Sequence, residues 1–426
     1  MIKLDRRLIL NFDWTLLLLV LVLSAIGLLN IYSAGLTLTD LRQPPLYIKQ
    51  IQWIMLGFVA MGFAFFIDYR FLARHAYWIY AISIVLLLIV LAGGHATRGS
   101  QRWIALGGFT FQPSELVKLT VILALAKYFD RHRINGGCRL RELVTPFLIA
   151  LFPVLLILKQ PDLGTGLIVL IVFTSMVCFV GLDWRSYLLA AAGGLILTPI
   201  GWFLLHDYQK ERILTFFNPE RDPLGSGYHI IQSMIAVGSG GFLGKGFMKG
   251  SQTQLKFLPE QQTDFVFSVF AEEWGFLGAL VLLLMFLWLI YWGIKIMMHS
   301  RDYSGTLVAF GITVLLFTEV FINIGMVLGI LPVVGIPLPF LSYGGSSMVV
   351  LMIATLISAS MSAPTPITKV PLPKIDPLKS PSMRTAPLNI SLPVNSAPLP
   401  KKARISSSSL IFLPSIRKLL LPMRFL

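Results

Sequence analysis

The chain has 426 residues, of which 56% are hydrophobic and only 13% are charged, whereas soluble domains carry charge on roughly a quarter of their residues. This composition excludes an ordinary soluble globular protein and predicts that the lipid bilayer is the main solvent of the chain. The formal net charge of +15 does not indicate a nucleic-acid partner, because the basic residues are spread over loop ends and the tail and form no basic helix.

Apolar runs of about 20 residues, the length that crosses a bilayer as an α-helix, recur along the chain as far as residue 362. We therefore predict an all-α polytopic membrane protein with about ten transmembrane helices. The predicted spans are 14–34, 47–67, 76–93, 113–129, 143–158, 164–182, 186–206, 265–292, 305–330 and 345–362. The first span follows a charged start without a small-residue cleavage pattern, so we expect an uncleaved helix and no signal peptide.

The distribution of Lys and Arg predicts which way the helices run. With ten spans both termini lie on one side, and the loops of that side hold 13 Lys and Arg residues against five in the short loops opposite. This positive-inside bias places both termini in the cytoplasm and the protein in the cytoplasmic (inner) membrane. The long segment 207–264, between the seventh and eighth helices, is then extracytoplasmic. The membrane domain is 1–362, and the Pro- and Ser-rich basic segment 363–426 is predicted to be a disordered cytoplasmic tail.

Charged residues inside predicted spans attract attention because a charge at the centre of a membrane helix costs about 2.5–3.5 kcal/mol. Glu115 and Lys118 are three residues apart at the start of the fourth span, so they share a helical face and are predicted to pair. Ser114 is the expected cap of that helix. Glu319 and Asn323, four residues apart in the ninth span, predict a polar contact between helices. For the Glu115–Lys118 pair, a structural and a functional role both remain open at this stage.

Acidic residues are concentrated in and just after the long external segment, where eight of the 20 acids fall within residues 207–273. Asp264 stands where a polar run meets the eighth span, so Thr263 or Asp264 could cap that helix, or Asp264 could act as a base. Asp162 precedes the sixth span and is expected to be either its cap or a functional acid. Glycines beside Lys245 could bring backbone N–H groups to a phosphate. The two Cys residues form neither a disulfide framework nor a metal cluster.

Five long motifs follow one another along residues 10–362. They are RGSQRWIALGGFTFQPSELVKL, KQPDLGTGLIVL, GSGYHIIQSMIAVGSGGFLGKG, FLPEQQTDFVFSVFAEEWGFLG and GIPLPFLSYGGSS. These motifs and their order resemble the shape, elongation, division and sporulation family of membrane proteins. The run 335–339 is more similar to the rod-shape members than to the division members, so a division-type polymerase is the alternative within the family.

The resemblance implies an inverting peptidoglycan glycosyltransferase that polymerises lipid II into glycan strands at the outer face of the membrane during cell elongation and shape maintenance. The essential aspartate of the family falls on Asp264, and the membrane ion pair falls on Glu115 and Lys118. Asp162 and Glu319 are further polar candidates. The candidate substrate-binding residues are Arg102 and Trp103 in an external hairpin, Arg212, Lys245 and Glu260. Gln262 stands where members commonly carry His, so no imidazole role is expected at that position.

The same resemblance implies partners and a cofactor. The partners are lipid II, the nascent glycan strand, a class B penicillin-binding protein that acts as the transpeptidase, and other membrane proteins of the elongation complex. A divalent cation, Mg²⁺ or Mn²⁺, is expected to help the pyrophosphate leave. The sequence does not identify ligands for this ion. No organic cofactor is expected. Two other functions remain open from the sequence: a lipid II flippase, with Glu115, Lys118 and Glu319 lining a polar path, and a scaffold for the transpeptidase.

Overall fold

The architecture comes from a computed structural model, which describes residues 13–35, 46–93, 95–97, 100–106, 109–132, 140–183, 207–218, 225–258, 260–300 and 302–362, with a few isolated positions between 186 and 222. The helices in chain order are α1 (Trp14–Gly35), α2 (Leu46–Phe65), α3 (Tyr69–Gly93), α4 (Pro113–Arg131), α5 (Val144–Lys159), α6 (Leu163–Val180), α7 (Asp207–Phe217), α8 (Ser226–Ser239), α9 (Ser251–Gln254), α10 (Val266–His299), α11 (Tyr303–Val327) and α12 (Gly345–Ser362). Between α3 and α4 lie three short antiparallel strands, β1 (His95–Thr97), β2 (Ser100–Leu106) and β3 (Phe109–Phe111).

The predicted membrane helices can be compared with the described ranges. Within them, seven helices are long and apolar enough to cross a membrane. The more charged α4 and the slightly shorter apolar α12 occupy the predicted fourth and tenth spans. The predicted seventh span, 186–206, and the tail 363–426 lie outside the described residues, apart from isolated positions in the former. The chain is therefore a multi-pass membrane protein, and large apolar side chains such as Phe63, Trp78 and Leu287 face outward from its helices.

One helix start and one helix cap differ clearly from the prediction. Helix α3 begins at Tyr69 and not at 76, because Asp68 receives backbone N–H groups of the first turn: its carboxylate accepts from Arg70 at 2.9 Å and its carbonyl accepts from Phe71 at 2.8 Å. Helix α4 begins at Pro113, as the predicted span did, but its N-cap position is Gln112 and not the predicted Ser114. Pro113 suits the first position of a helix because its missing N–H needs no partner there.

Helix α10 is broken in its first third, which the sequence prediction missed. Gly275 has φ 65° and ψ −164°, values outside the helical region. The backbone N–H groups of Lys245 and Gly246 donate to the carbonyls of Glu272 and Glu273 at 3.0 Å each. Beyond the break, Phe276 donates its N–H to the carbonyl of Gly241 at 2.9 Å. The loop after α8 thus supplies the hydrogen bonds that the helix loses at the break, as buried backbone groups require.

The segment between α11 and α12, residues 328–344, packs against the middle of α1 and the start of α6. A Cβ at Gly27 of α1 would lie 2.6 Å from Leu341 Cα, and one at Gly164 of α6 would lie 2.8 Å from the carbonyl oxygen of Val334. Glycine permits these close backbone approaches because it has no Cβ. The segment therefore ties α1 and α6 to the start of α10, where the acid-rich segment 207–264 ends.

Candidate active site

The turn 260–265, immediately before α10, is fixed by hydrogen bonds from elements distant in the sequence. Asn323 of α11 donates its Nδ2–H groups to the carbonyls of Asp264 at 2.9 Å and Ile336 at 2.7 Å. Ser342 donates its hydroxyl to the carbonyl of Thr263 at 2.6 Å and accepts from the N–H of Leu338 at 2.8 Å. Helix α11 and the segment 328–344 together set the position of the backbone at Asp264.

The other side of the turn is attached to α1. Gln261 and Gln262 both donate their side-chain amides to the carbonyl of Ala34, at 2.9 and 3.3 Å. Tyr343 donates its backbone N–H to the carbonyl of Gln262 at 2.8 Å. Gln262, the residue that replaces a common family His, therefore acts here as a hydrogen-bonding anchor for the turn.

Asp264 lies on this turn and not at the cap of the helix that follows. The N-cap position of α10 is Phe265, whose side chain has no oxygen, so the prediction that Thr263 or Asp264 caps the helix is wrong. Thr263 donates its hydroxyl to Glu260 Oε2 at 3.2 Å. A Cβ at Gly335, whose φ is 73°, would lie 3.3 Å from Asp264 Oδ2. The Asp264 carboxylate thus lies close to the backbone of Gly335, whose positive φ favours glycine.

His229 of α8 lies beside this turn, and the sequence analysis did not select it. Its imidazole is stacked on the ring of Phe265, with centroids 6.0 Å apart and planes within 8°. Burial lowers the pKa of His229 from its ordinary value, and three nearby charges act on it in addition: Glu260 raises the pKa, Arg212 lowers it and Asp222 raises it. Two predicted site residues, Arg212 and Glu260, therefore act electrostatically on an imidazole that is stacked on the residue after Asp264.

Lys245 lies in a second cluster, at the break of α10. Its Nζ donates to Glu272 Oε1 at 2.8 Å and to Ser251 Oγ at 2.7 Å. Glu272 is fully buried and also accepts the backbone N–H groups of Gln252 and Thr253. The neighbouring Glu273 accepts from the Ser33 hydroxyl and from the N–H of Met248. Glu272 lies nearly two turns beyond the start of α10, a rise of about 9 Å, so this cluster is separated from Asp264 along the helix.

Arg102 and Asp162 meet around the turn that joins α5 to α6. Arg102, on β2, donates Nε–H to the carbonyl of Gln160 at 2.8 Å and Nη2–H to the carbonyl of Pro161. Asp162 caps α6, as predicted, because its carboxylate accepts from the backbone N–H and the hydroxyl of Thr165. It also accepts from the side-chain amide of Gln112 at 3.1 Å. Trp103, the next residue on β2, pairs with His95 of β1.

The three charged membrane candidates form one buried triad. Lys118 Nζ lies 2.7 Å from Glu115 Oε2 and 2.6 Å from Glu319 Oε1. All three residues are at most 4% exposed. The predicted Glu115–Lys118 pairing is confirmed, and Glu319 makes the predicted contact between helices by joining α11 to α4. Pairing of this kind is what allows charges to be buried in a membrane domain.

The site residues predicted from the sequence therefore fall into four groups. Glu260 and Arg212 act on His229, which is stacked on the residue after Asp264. Lys245 pairs with Glu272, Arg102 and Asp162 hold the α5–α6 turn, and Glu115, Lys118 and Glu319 form the triad. The one sequence signal for His229 was its place in the motif GSGYHIIQ, and the signal for Glu272 and Glu273 was their position beside a glycine inside a span. Among the described residues, no group of three or more His, Cys, Asp or Glu side chains is placed to hold a metal ion.

This fold and site define a class: a multi-pass membrane protein that presents an acidic side chain on a rigid turn at the start of a transmembrane helix. The family model described as cell cycle protein, FtsW/RodA/SpoVE, matches residues 13–365. The chain is 42% identical over 343 residues to the peptidoglycan glycosyltransferase MrdB of Escherichia coli K12, with 80% of this chain and 91% of that protein covered. It is 37% identical over 355 residues to the stage V sporulation protein E of Bacillus subtilis, with 82% and 96% covered.

Solved structures agree with these sequence relationships. A chain of a peptidoglycan synthase complex that coordinates polymerization and crosslinking matches with TM-score 0.70 and 36% identity, covering 82% of this chain and 97% of that one. The rod shape determining protein RodA of Thermus thermophilus matches with TM-score 0.60 and 32% identity, covering 83% and 95%. The chain belongs to the FtsW/RodA/SpoVE family, which is the shape, elongation, division and sporulation family indicated by its motifs.

Proposed function

We propose that this chain is an inverting peptidoglycan glycosyltransferase of the rod-shape type, which polymerises lipid II into glycan strands during cell elongation. Its relatives at 42% and 34% identity, from Escherichia coli and Treponema pallidum, are both named peptidoglycan glycosyltransferases. The observation that carries the proposal for the site is the attachment of the Asp264 turn to α1, α11 and the segment 328–344. A base must be held in position to contribute to catalysis.

Asp264 is the proposed general base. The reaction joins the 4-hydroxyl of the acceptor sugar to the anomeric carbon of the donor and displaces undecaprenyl pyrophosphate. Inversion requires attack on the face opposite the leaving group, with a carboxylate that accepts the hydroxyl proton, as in inverting glycosidases. Proton transfer to a positioned side chain contributes about 10²- to 10⁴-fold to such reactions.

Arg212 is the proposed contact for the leaving pyrophosphate. Its guanidinium lies close enough to His229 to lower the pKa of that imidazole, and a guanidinium suits bidentate contact with phosphate oxygens. Lys245 pairs with Glu272, and two donors of Arg102 are bound by backbone carbonyls. These two cations are therefore proposed to hold in place the loops that surround the substrate. Trp103 and Glu260 are proposed to contact the saccharide from the hairpin and the turn.

A divalent cation is proposed to act with the pyrophosphate of the substrate. The described residues build no cluster of acidic and imidazole ligands that would hold a resident ion. Pyrophosphate oxygens are themselves good ligands for Mg²⁺. Turnover is then expected to depend on added Mg²⁺ or Mn²⁺ and to recover when the ion is restored after chelation, and the thermal stability of the protein is expected not to change with chelation.

The proposed orientation places both termini in the cytoplasm and the turn 260–265 at the outer surface, where both prenyl chains can stay in the bilayer while the sugars meet above it. This follows the positive-inside distribution of Lys and Arg. The proposed partners are a class B penicillin-binding protein and other membrane proteins of the elongation complex. The similarity to a chain of a solved peptidoglycan synthase complex supports a transpeptidase partner.

Purified protein in detergent, given fluorescent lipid II, tests polymerisation against transport. A detergent solution has no two compartments, so flippase activity cannot be detected in it. A polymerase in detergent still makes glycan chains, which a muramidase digests. Glycan chains with β linkages are expected. A folded preparation that binds lipid II and makes no polymer, but moves it across reconstituted vesicles, would support the flippase and overturn the proposal. The mutual pairing of the triad's charges supports the polymerase, because paired side chains do not line an open polar path.

A further inference from the structure

His229 is held rigidly next to the residue that follows Asp264. Its ring lies parallel to that of Phe265, which is 2% exposed and therefore fixed in the core. The hydroxyl of Ser233, one turn along the same helix, donates to the carbonyl of Val327 at 2.7 Å and lies 2.8 Å from Ser268 Oγ. Helix α8 is thus attached to both α10 and α11, and the imidazole has a defined position relative to the turn 260–265.

Charged groups from three segments surround this imidazole. Arg212 comes from α7, Asp222 from the connection that leads to α8, and Glu260 from the turn. The described contacts that α8 makes close to His229 are with uncharged residues: Phe265 just before α10, Ser268 on α10, and Gly329 just after α11. A saccharide that reaches Asp264 past Arg212 and Glu260 would therefore also meet His229.

The hydrogen-bonding capacity of the ring is not used within the described part of the chain. Nδ1 is buried and has no hydrogen-bond partner among the described residues. His229 as a residue is partly exposed, so the nitrogen left to meet a ligand in this proposal is Nε2, because Nδ1 is the buried one. Burial lowers the pKa of His229, so the ring is neutral at neutral pH and can donate or accept one hydrogen bond at Nε2.

We propose that His229 is a substrate-binding residue whose Nε2 hydrogen-bonds an uncharged polar group of the disaccharide, a hydroxyl or an acetamido group. This inference rests on the proposed polymerase function and adds a specificity contact to the same site. A neutral imidazole suits an uncharged group, whereas the adjacent Arg212 suits the pyrophosphate. Loss of the contact weakens substrate binding and leaves the chemistry at Asp264 intact.

The test is a set of three variants assayed with lipid II in detergent. His229→Phe keeps a ring to stack on Phe265 and removes both nitrogens, so KM is expected to rise about tenfold with kcat within about twofold of the original, the effect of one lost hydrogen bond. His229→Gln places an amide where Nε2 stood and is expected to restore most of the affinity. His229→Asn is too short to reach that position and is expected to behave like the Phe variant.

The pH dependence of KM separates this role from a structural one. Protonation of His229 gives the ring a charge and removes its ability to accept, so a contact in which Nε2 accepts is lost, and the KM of the original protein is expected to rise as the pH falls through the lowered pKa of His229. The KM of His229→Gln is expected not to rise in this way. Melting temperatures of all variants in detergent establish that they are folded.

Three results would overturn the inference. If the original protein polymerises lipid II and folded His229→Phe shows the same KM and pH profile, the proposed function stands and the role of His229 fails. If the original, folded protein makes no polymer, the proposed function fails and this inference fails with it. Equal losses in the Gln and Asn variants would also contradict a contact made through Nε2.

Discussion

The buried triad and the turn 260–265 both contain acidic side chains, but the protein holds them in different ways. In the triad, the ammonium of Lys118 lies within 2.7 Å of the carboxylates of both Glu115 and Glu319, so the charged groups hold one another. In the turn, neutral donors such as Asn323 and Ser342 bind the backbone. We therefore expect the buried charges of the triad to contribute to stability and the turn to position the proposed base. Substitutions in the two regions should therefore affect different measurements.

The largest effect is expected at Asp264. Asp264→Asn keeps the shape of the side chain and removes the base, so turnover of lipid II should fall about 10³-fold, within the usual contribution of a general base. The melting temperature in detergent should change little, because the hydrogen bonds that fix the turn involve its backbone. The matched control is Glu220→Gln, an exposed acid of the same external segment, which should keep full turnover.

The triad should show the opposite pattern. Lys118→Met leaves two buried carboxylates without their cation, which destabilises a protein by about 3–5 kcal/mol. The expected result is a lower melting temperature and a lower yield, with turnover per folded molecule close to the original. Lys249→Met, at an exposed lysine, is the control and should change neither. A strong loss of turnover in folded Lys118→Met, without a loss of stability, would break the distinction between the two regions.

Asn323 connects the two regions, because it lies one helical turn from Glu319 and binds the turn that carries Asp264. Asn323→Asp replaces a donor by a carboxylate facing the carbonyls of Asp264 and Ile336. We expect a stability loss of about 1–3 kcal/mol and a fall in kcat of up to about 10²-fold from displacement of the base. Unchanged kcat in the folded variant would show that this contact does not position Asp264.

Gly335 allows a smaller perturbation of the same carboxylate. Gly335→Ala places a methyl group 3.3 Å from Asp264 Oδ2 and strains a backbone with φ 73°, so we expect a stability loss of about 1 kcal/mol and a several-fold lower turnover. The control is Gly238→Ala in α8, where a Cβ would meet nothing within 4 Å, and which should leave turnover unchanged. Equal turnover in the two variants would argue against contact between Gly335 and the reacting side chain.

The smallest expected effect is the contribution of His229 to stability against acid. Burial lowers its pKa below the ordinary value of 6.5, so the unfolded chain binds a proton before the folded protein does as the pH falls. The contribution of His229 to stability is therefore fully present above about pH 6.5 and decreases as the pH falls through the folded pKa. Thermal unfolding at pH 5 and pH 7.5 should show a smaller pH dependence for His229→Gln than for the original protein.

Much of the fold follows from local sequence. Apolar runs of bilayer length predicted the membrane helices of the described ranges correctly. The length and hydropathy of such a run can be read directly from consecutive residues. The cap at Asp162 and the pairing of Glu115 with Lys118 were likewise predictable, since each involves residues within one helical turn. The break at Gly275 was not predicted, because the hydrogen bonds that compensate it come from residues 241–246.

The composition of the site depends on contacts that sequence spacing does not reveal. Glu319 pairs with a lysine 201 positions away, and Ala34 receives amides from residues more than 220 positions away. Lys245 was predicted as a candidate phosphate contact from the glycines beside it, and its pairing with Glu272, 27 positions away, could not be read from that spacing. His229 escaped selection because a single histidine in a helix carries no signal until its neighbours are known.

Chemical rescue of Asp264→Ala by formate or acetate tests most directly whether a carboxylate at this position takes the proton. Purified, folded Asp264→Ala should make no glycan from lipid II, and added carboxylate should restore polymerisation in proportion to its concentration and basicity. The rate of polymerisation by Glu220→Ala should not change when formate or acetate is added. Polymerisation by Asp264→Ala at the original rate, with no carboxylate added, would contradict the account.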